Sequence, residues 1–236
     1  WDLVENQIRT EEPEYSFFQV YHKKLKAKTY SWKKPKPEKT CAVIRYGAFG
    51  DALQTASIFP ELKKQGYHVT FYTAPMGYEV TKEDPHVDGF IIQDNDQVTN
   101  AELGPYWKYW KKRYDKFINL SESVEGEWLA LPGRTKHEWP YSLRKKYMNV
   151  NYLEFMHDLA EVPFVIHQKC YSTTEEKNWA KQQRDRMGEF VVVWSLAGSS
   201  VHKTWPYLDK IIARLMLHNP GIDVVLVGDY LCQLLE

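Results

Sequence analysis

The stretch CAVIRYGAFGDALQTASIF, residues 41–59, constrains the fold more than any other part of the chain. Residues 41–46 form a short, mostly apolar run with β-branched Val43 and Ile44, which suits a buried strand. Gly47-Ala48-Phe49-Gly50 supplies a turn, and Asp51 opens a helical pattern. A strand, a turn and a helix entry in that order belong to open parallel α/β sheets, whose ligands bind at the carboxyl ends of the strands. The loop lacks the third glycine and the spacing of a dinucleotide fingerprint. No lysine follows Gly50, so a phosphate-cradling P-loop is also excluded. A carboxylate at a helix N-terminus competes with phosphate for the same amides, so Asp51 reads as a base or as a helix cap, the cap being the commoner fate.

The alternation continues downstream. A helix over 51–65, with Pro60 bending or dividing it and Gly66 as a left-handed stop, leads to a strand at 68–73. A helical or irregular piece at 77–82 and strands at 89–93 and 117–120 follow. Successive βα units of this kind imply a parallel sheet with helices on its faces. Between the last two strands, YWKYWKKRY (106–114) predicts an amphipathic helix that places Trp107, Trp110 and Tyr114 toward the sheet and Lys108, Lys111 and Lys112 largely outward. Another helix is expected over 151–164, and a polar, helical connection starting near Thr174 and stopping by Gly188. FVVVWS (190–195) reads as a buried strand, followed by a small-residue loop, Lys203, a helix with Pro206 near its first turn, and a strand at 222–227.

Composition bounds the function. The 236 residues carry 43% hydrophobic and 26% charged side chains and a net charge of zero, so no global field recruits nucleic acid. Three cysteines without metal spacing suit a reducing, cytoplasmic compartment, and no apolar run nears the ~20 residues that span a bilayer. Residues 1–39 mix aromatics and lysines and close on KKPKPEKT, an appendage and extended linker. The chain opens at Trp1, and its last strand is followed by the start of another helix, so further sequence is expected downstream.

Three other features carry possible chemistry. Asp94-Asn95-Asp96 after a strand could hold a divalent cation against a sugar diphosphate, but such tripeptides are commonest in plain turns, and no metal site is expected. Lysines of 106–114, together with Arg134, Lys136, His137, Arg144, Lys145 and Lys146, could meet an anionic membrane surface or an acidic acceptor, although solvated charge is the usual role of such runs. Gly198, Ser199 and Ser200 offer backbone amides and hydroxyls, and Lys203 a point charge beside a helix start, a credible diphosphate site.

The first and last of these stretches, IRYGAFGDALQT and WSLAGSSVHKTWP, resemble the heptosyltransferase-like glycosyltransferases of family 9, which act on lipopolysaccharide core with ADP-heptose. HVTFYTAP, DPHVDGFI, YDKFINL and NVNYLEFMHDLAEVP fit between them, so the resemblance covers about residues 41–229. It implies two Rossmann-like domains of GT-B type facing a cleft. Here these would be an acceptor domain over 40–165, a connection over 166–188 and the start of a nucleotide-sugar domain over 189–236. It further implies that Asp51 is the general base of an inverting, metal-independent sugar transfer, with Gly47, Gly50 and Gln54 on the acceptor-side loop. Lys203, Gly198, Ser199 and Ser200 would bind the diphosphate. The donor would be a nucleotide-diphosphate sugar such as ADP-heptose, the acceptor a glycan or glycolipid, and the location the cytoplasm or the inner membrane face. Gly228 and Asp229 stand where the family has a glycine pair. A non-catalytic glycan- or nucleotide-binding module of the same fold is the alternative.

Overall fold

The structure, a computed structural model, describes residues 38–93, 100–121, 138–195 and 205–228. The chain divides after Tyr171 into two compact units. In the first, β1 (Thr40–Arg45), β2 (His68–Thr73), β3 (Gly89–Ile92) and β4 (Lys116–Asn119) form a sheet in the order β3-β2-β1-β4. All three pairings are parallel. The connections step outward from β1 to β3 and then return to the opposite side of β1. The gap between the carboxyl ends of β1 and β4 is therefore a topological switch point, where open α/β sheets bind ligands.

Alternation along the strands sets the two faces. Cys41, Val43, Val69, Phe71, Phe90, Ile92 and Ile118 point to one side. They pack there under α1 (Phe49–Ala56), α2 (Phe59–Lys64) and α6 (Tyr152–Ala160), through Ala52, Ala56, Phe59, Leu62 and Met156. Ala42, Ile44, Tyr72 and Ile91 point to the other and meet Tyr106, Trp107, Trp110 and Tyr114. The first three of those aromatics sit on or at the end of α4 (Asn100–Lys111), and Lys108, Lys111 and Lys112 are exposed, as the amphipathic reading expected. Trp107 and Trp110 lie near the ring of Tyr46 and the edge of Tyr72 respectively.

The predicted helix over 51–65 is two helices. It breaks at Ser57 and Ile58, and Pro60 is the second residue of α2, where its missing N–H costs nothing. Gly66 has φ 83°, the left-handed stop expected of it. α3 (Pro75–Thr81) starts earlier than the sequence suggested. Short polar bonds secure the frame. Asp115 accepts from the N–H and hydroxyl of Thr40, joining β4 to β1, and Asp88 accepts from the N–H of Val69. Asp84, buried, accepts from His86, so both carboxylates of DPHVDGFI serve the fold. α5 (Tyr141–Met148) exposes Lys145 and Lys146, with Arg144 half-buried.

In the second unit, α7 (Thr174–Arg184) is capped by Thr173, whose hydroxyl accepts from the N–H of Glu176 while the Glu176 carboxylate accepts from the N–H of Thr173. The stop predicted at Gly188 falls four residues late: past Arg184 the backbone tightens into i→i+3 turns, Arg186 to Gln183 and Met187 to Arg184, and the Arg184 guanidinium donates to the carbonyls of Gly188 and Glu189. β5 (Phe190–Ser195) and β6 (Ile222–Val227) pair in parallel, connected through α8 (Leu208–His218). β5 has the predicted bounds but not the predicted burial. Phe190 is 60% and Val193 66% exposed, since among the described residues this sheet has two strands and one helix to cover them. No helix among the described residues is long and apolar enough to cross a membrane.

Candidate functional site

The switch point holds a compact polar cluster. β1 ends on Arg45, a charged residue closing the apolar run Cys41 to Ile44, and its side chain is 3% exposed. Strand alternation sends it to the same face as Cys41 and Val43, beneath α1 and α6. Burial of a guanidinium in that position demands partners. Its Nη2 donates to Asp51 Oδ1 at 2.8 Å and to the Tyr152 hydroxyl at 2.9 Å, and its Nη1 to the carbonyl of Leu120 at 3.3 Å. On the opposite face, Tyr46 points to α4, and the hydroxyls of Tyr46 and Tyr106 donate to Oε1 of buried Gln93 just past β3.

α1 begins at Phe49, with Ala48 as its cap residue, so Asp51 stands at the third helical position. The sequence reading of Asp51 as the residue that opens or caps the helix is corrected by two places. Alanine has no side-chain oxygen, and the Asp51 carboxylate instead reaches back so that Oδ2 accepts the N–H of Ala48 at 3.0 Å. A carboxylate there is also favoured by the helix dipole. Each oxygen of Asp51 thus has one inward partner, Arg45 for Oδ1 and Ala48 for Oδ2. A carboxylate offers about four lone-pair sites, and the side chain remains 35% exposed, so the outward pair of sites faces solvent.

The loop glycines differ from one another. Gly47 has φ 143°, and a Cβ there would fall on the Asp51 carboxylate, so glycine is required for the close approach. Gly50 lies inside α1 with open space around it and plays no part in the turn. Gln54 lies one helical turn beyond Asp51, half-buried. The β4 side of the gap is closed by Ser121, whose Oγ accepts the N–H of Tyr46 at 2.6 Å and whose own N–H is held by Asn119.

Gly198, Ser199, Ser200 and Lys203 lie outside the described residues, as do Asp94, Asp96, Arg134, Lys136, His137 and residues 1–37. Among the described residues no group of three His, Cys, Asp or Glu side chains is disposed to hold a metal ion. Sequence reading missed Arg45 and Tyr152. A signal existed for Arg45, since a cation closing a buried apolar strand is anomalous, whereas nothing in the sequence ties Tyr152 to a residue 107 positions earlier.

No family model and no curated protein matches the sequence. The fold is similar to that of a glycosyl transferase of family 9 from Veillonella parvula DSM 2008, with a TM-score of 0.54 and 16% identity. The match covers 82% of this chain and 64% of that one, so the chain spans less than two thirds of that protein's length. Lower scores are found with E. coli ADP-heptose lps heptosyltransferase II (TM-score 0.47, 17% identity, 81% of this chain and 65% of that chain). The same holds for E. coli heptosyltransferase WaaC with ADP-2-deoxy-2-fluoro heptose (TM-score 0.44, 15% identity, 79% and 68%).

Proposed function

We propose that the chain belongs to an inverting, metal-independent glycosyltransferase that moves a heptose-like sugar from a nucleotide-diphosphate sugar to a hydroxyl of a glycan or glycolipid. The observation that carries this reading is the Asp51 carboxylate, anchored from behind and open in front, at the switch point of a sheet whose fold is similar to a family 9 glycosyl transferase. Fold alone does not specify chemistry, so the residues must supply it. An outward lone pair of Asp51 accepts the proton of the acceptor hydroxyl. The hydroxyl oxygen then bonds to the anomeric carbon from the face opposite the leaving group. The bond from that carbon to the diphosphate oxygen breaks, and the configuration inverts. Negative charge collects on the departing diphosphate, where Lys203 and the amides and hydroxyls of Gly198, Ser199 and Ser200 would stabilise it. No step uses a metal ion. The exposed Lys145 and Lys146 would hold the protein against an anionic membrane face on the cytoplasmic side, where a glycolipid acceptor is presented.

The test is acceptor-dependent release of nucleotide from ADP-heptose and other nucleotide sugars, with lipopolysaccharide core as acceptor. Asp51→Asn is expected to lower turnover by about 10²–10⁴-fold while nucleotide binding persists, and EDTA to leave turnover unchanged. Lys203→Ala is expected to weaken nucleotide binding. Wild-type turnover in Asp51→Asn would remove Asp51 as the base. The inward bonds of Asp51 to Arg45 and Ala48 also favour a second reading, a binding module in which the carboxylate only braces the loop. Nucleotide binding with no acceptor-dependent release under any donor would select it.

A further inference from the structure

We infer that Arg45 is a positioning residue for the Asp51 carboxylate and that Tyr152 fixes Arg45 in that task. This deepens the transferase reading and rests on it. The argument is one of degrees of freedom. With the Ala48 N–H as its sole partner, Asp51 would be pinned at one oxygen and could swing about its side-chain torsions. The second contact, from Arg45 Nη2 to the other oxygen, fixes the plane of the carboxylate and decides where its outward lone pairs point. A hydroxyl proton must be met within hydrogen-bond reach and in line, so the orientation of that plane governs the rate of its removal.

Arg45 in turn must be held. Its Nη2 carries two N–H groups, and both are engaged, one by Asp51 Oδ1 and the other by the Tyr152 hydroxyl oxygen. Because the guanidinium is planar, two bonds from one nitrogen together with the Leu120 carbonyl on Nη1 define its rotation. The three anchors come from three places in the chain: the first turn of α1, the end of β4 and the first residue of α6. The base is therefore aimed by the junction of the sheet with α6, and the loop between β1 and α1 contributes Gly47 and the Ala48 amide. A lysine at position 45 would keep the charge but not the fork.

The test compares Arg45→Lys, Arg45→Met and Tyr152→Phe with the parent chain, using acceptor-dependent nucleotide release from ADP-heptose. The expected result is a loss in kcat at nearly constant KM, approaching 100-fold in Arg45→Met, the scale of a misplacement of about 1 Å, with smaller losses in Arg45→Lys and Tyr152→Phe. A kcat of Arg45→Met at the parent level, or a loss residing in KM alone, would overturn the inference. A second readout does not need turnover. The carboxyl carbon resonance of Asp51 in aspartate-labelled protein, assigned by its disappearance in Asp51→Asn, is expected to move in Tyr152→Phe and in Arg45→Lys at constant pH. A resonance unmoved in both folded variants sinks the positioning role whatever the activity. A moved resonance in a chain that turns over no nucleotide sugar upholds the coupling and rejects the transferase reading instead.

Discussion

At the level of single residues, the turn after β1 brings Arg45, Gly47 and the Ala48 amide against the Asp51 carboxylate. Asp51 was noticed in the sequence as a carboxylate at a helix start after an apolar strand, where a plain cap is its commoner role, and its reading as a base came from the family resemblance. Its partner Arg45 stands out as a cation closing an apolar strand, but only the position of α6 reveals where its guanidinium goes. Gly47 and Gly50 make a testable contrast. Gly47→Ala places a methyl against the Asp51 carboxylate in a backbone region that disfavours side chains, so a stability loss of about 1–3 kcal/mol and a displaced Asp51 are expected. Gly50→Ala adds a helix-favouring residue in open space and is expected to be neutral or stabilising by up to about 1 kcal/mol. Thermal unfolding of the two variants checks this, and equal melting temperatures would show that the approach of Gly47 to Asp51 is not tight.

Among the elements, α4 illustrates a pattern read correctly from spacing. Trp107 and Trp110, three apart, lie on one side and are under a tenth exposed, while the lysines interleaved with them are exposed. They pack against Ala42, Ile44, Tyr72 and Ile91 on one face of the sheet. Trp110→Ala is accordingly expected to cost about 3–5 kcal/mol, whereas Lys111→Ala should stay within about 0.5 kcal/mol. Urea denaturation of both distinguishes a docked helix from an appended one. Element ends were less legible. Pro60 was expected to bend or divide the helix, and that it divides it goes with Phe59 and Leu62 reaching the core from a separate α2. The end of α7 before Gly188 is likewise accompanied by Arg184 donating to carbonyls beyond the helix, a contact no spacing rule encodes.

For the molecule as a whole, the buried ionisable groups set how stability responds to alkali. Burial pushes the Cys41 thiol from its ordinary 9.0 up to about 12 and drives the hydroxyls of Tyr72 and Tyr106 upward from 10.0. These groups stay neutral in the folded chain while the unfolded chain ionises first. Their contribution is therefore complete below about pH 9 and lost as pH rises toward 12. The denaturation midpoint is expected to fall steadily above about pH 9 and to fall less steeply in Cys41→Ala; a midpoint independent of pH over that range would contradict the burial. Parallel α/β organisation, the positions of the six described strands and the amphipathic face of α4 were determined by the sequence itself, because the periods of 2 and 3.6 and the glycine and proline punctuation are local properties of the chain. Which strand lies beside which, and hence the return of β4 to the far side of β1, was decided only in three dimensions. The same return brings Leu120, and the packing of α6 brings Tyr152, to Arg45, since contacts between residues 75 and 107 positions apart depend on how whole faces pack and leave no trace in local pattern.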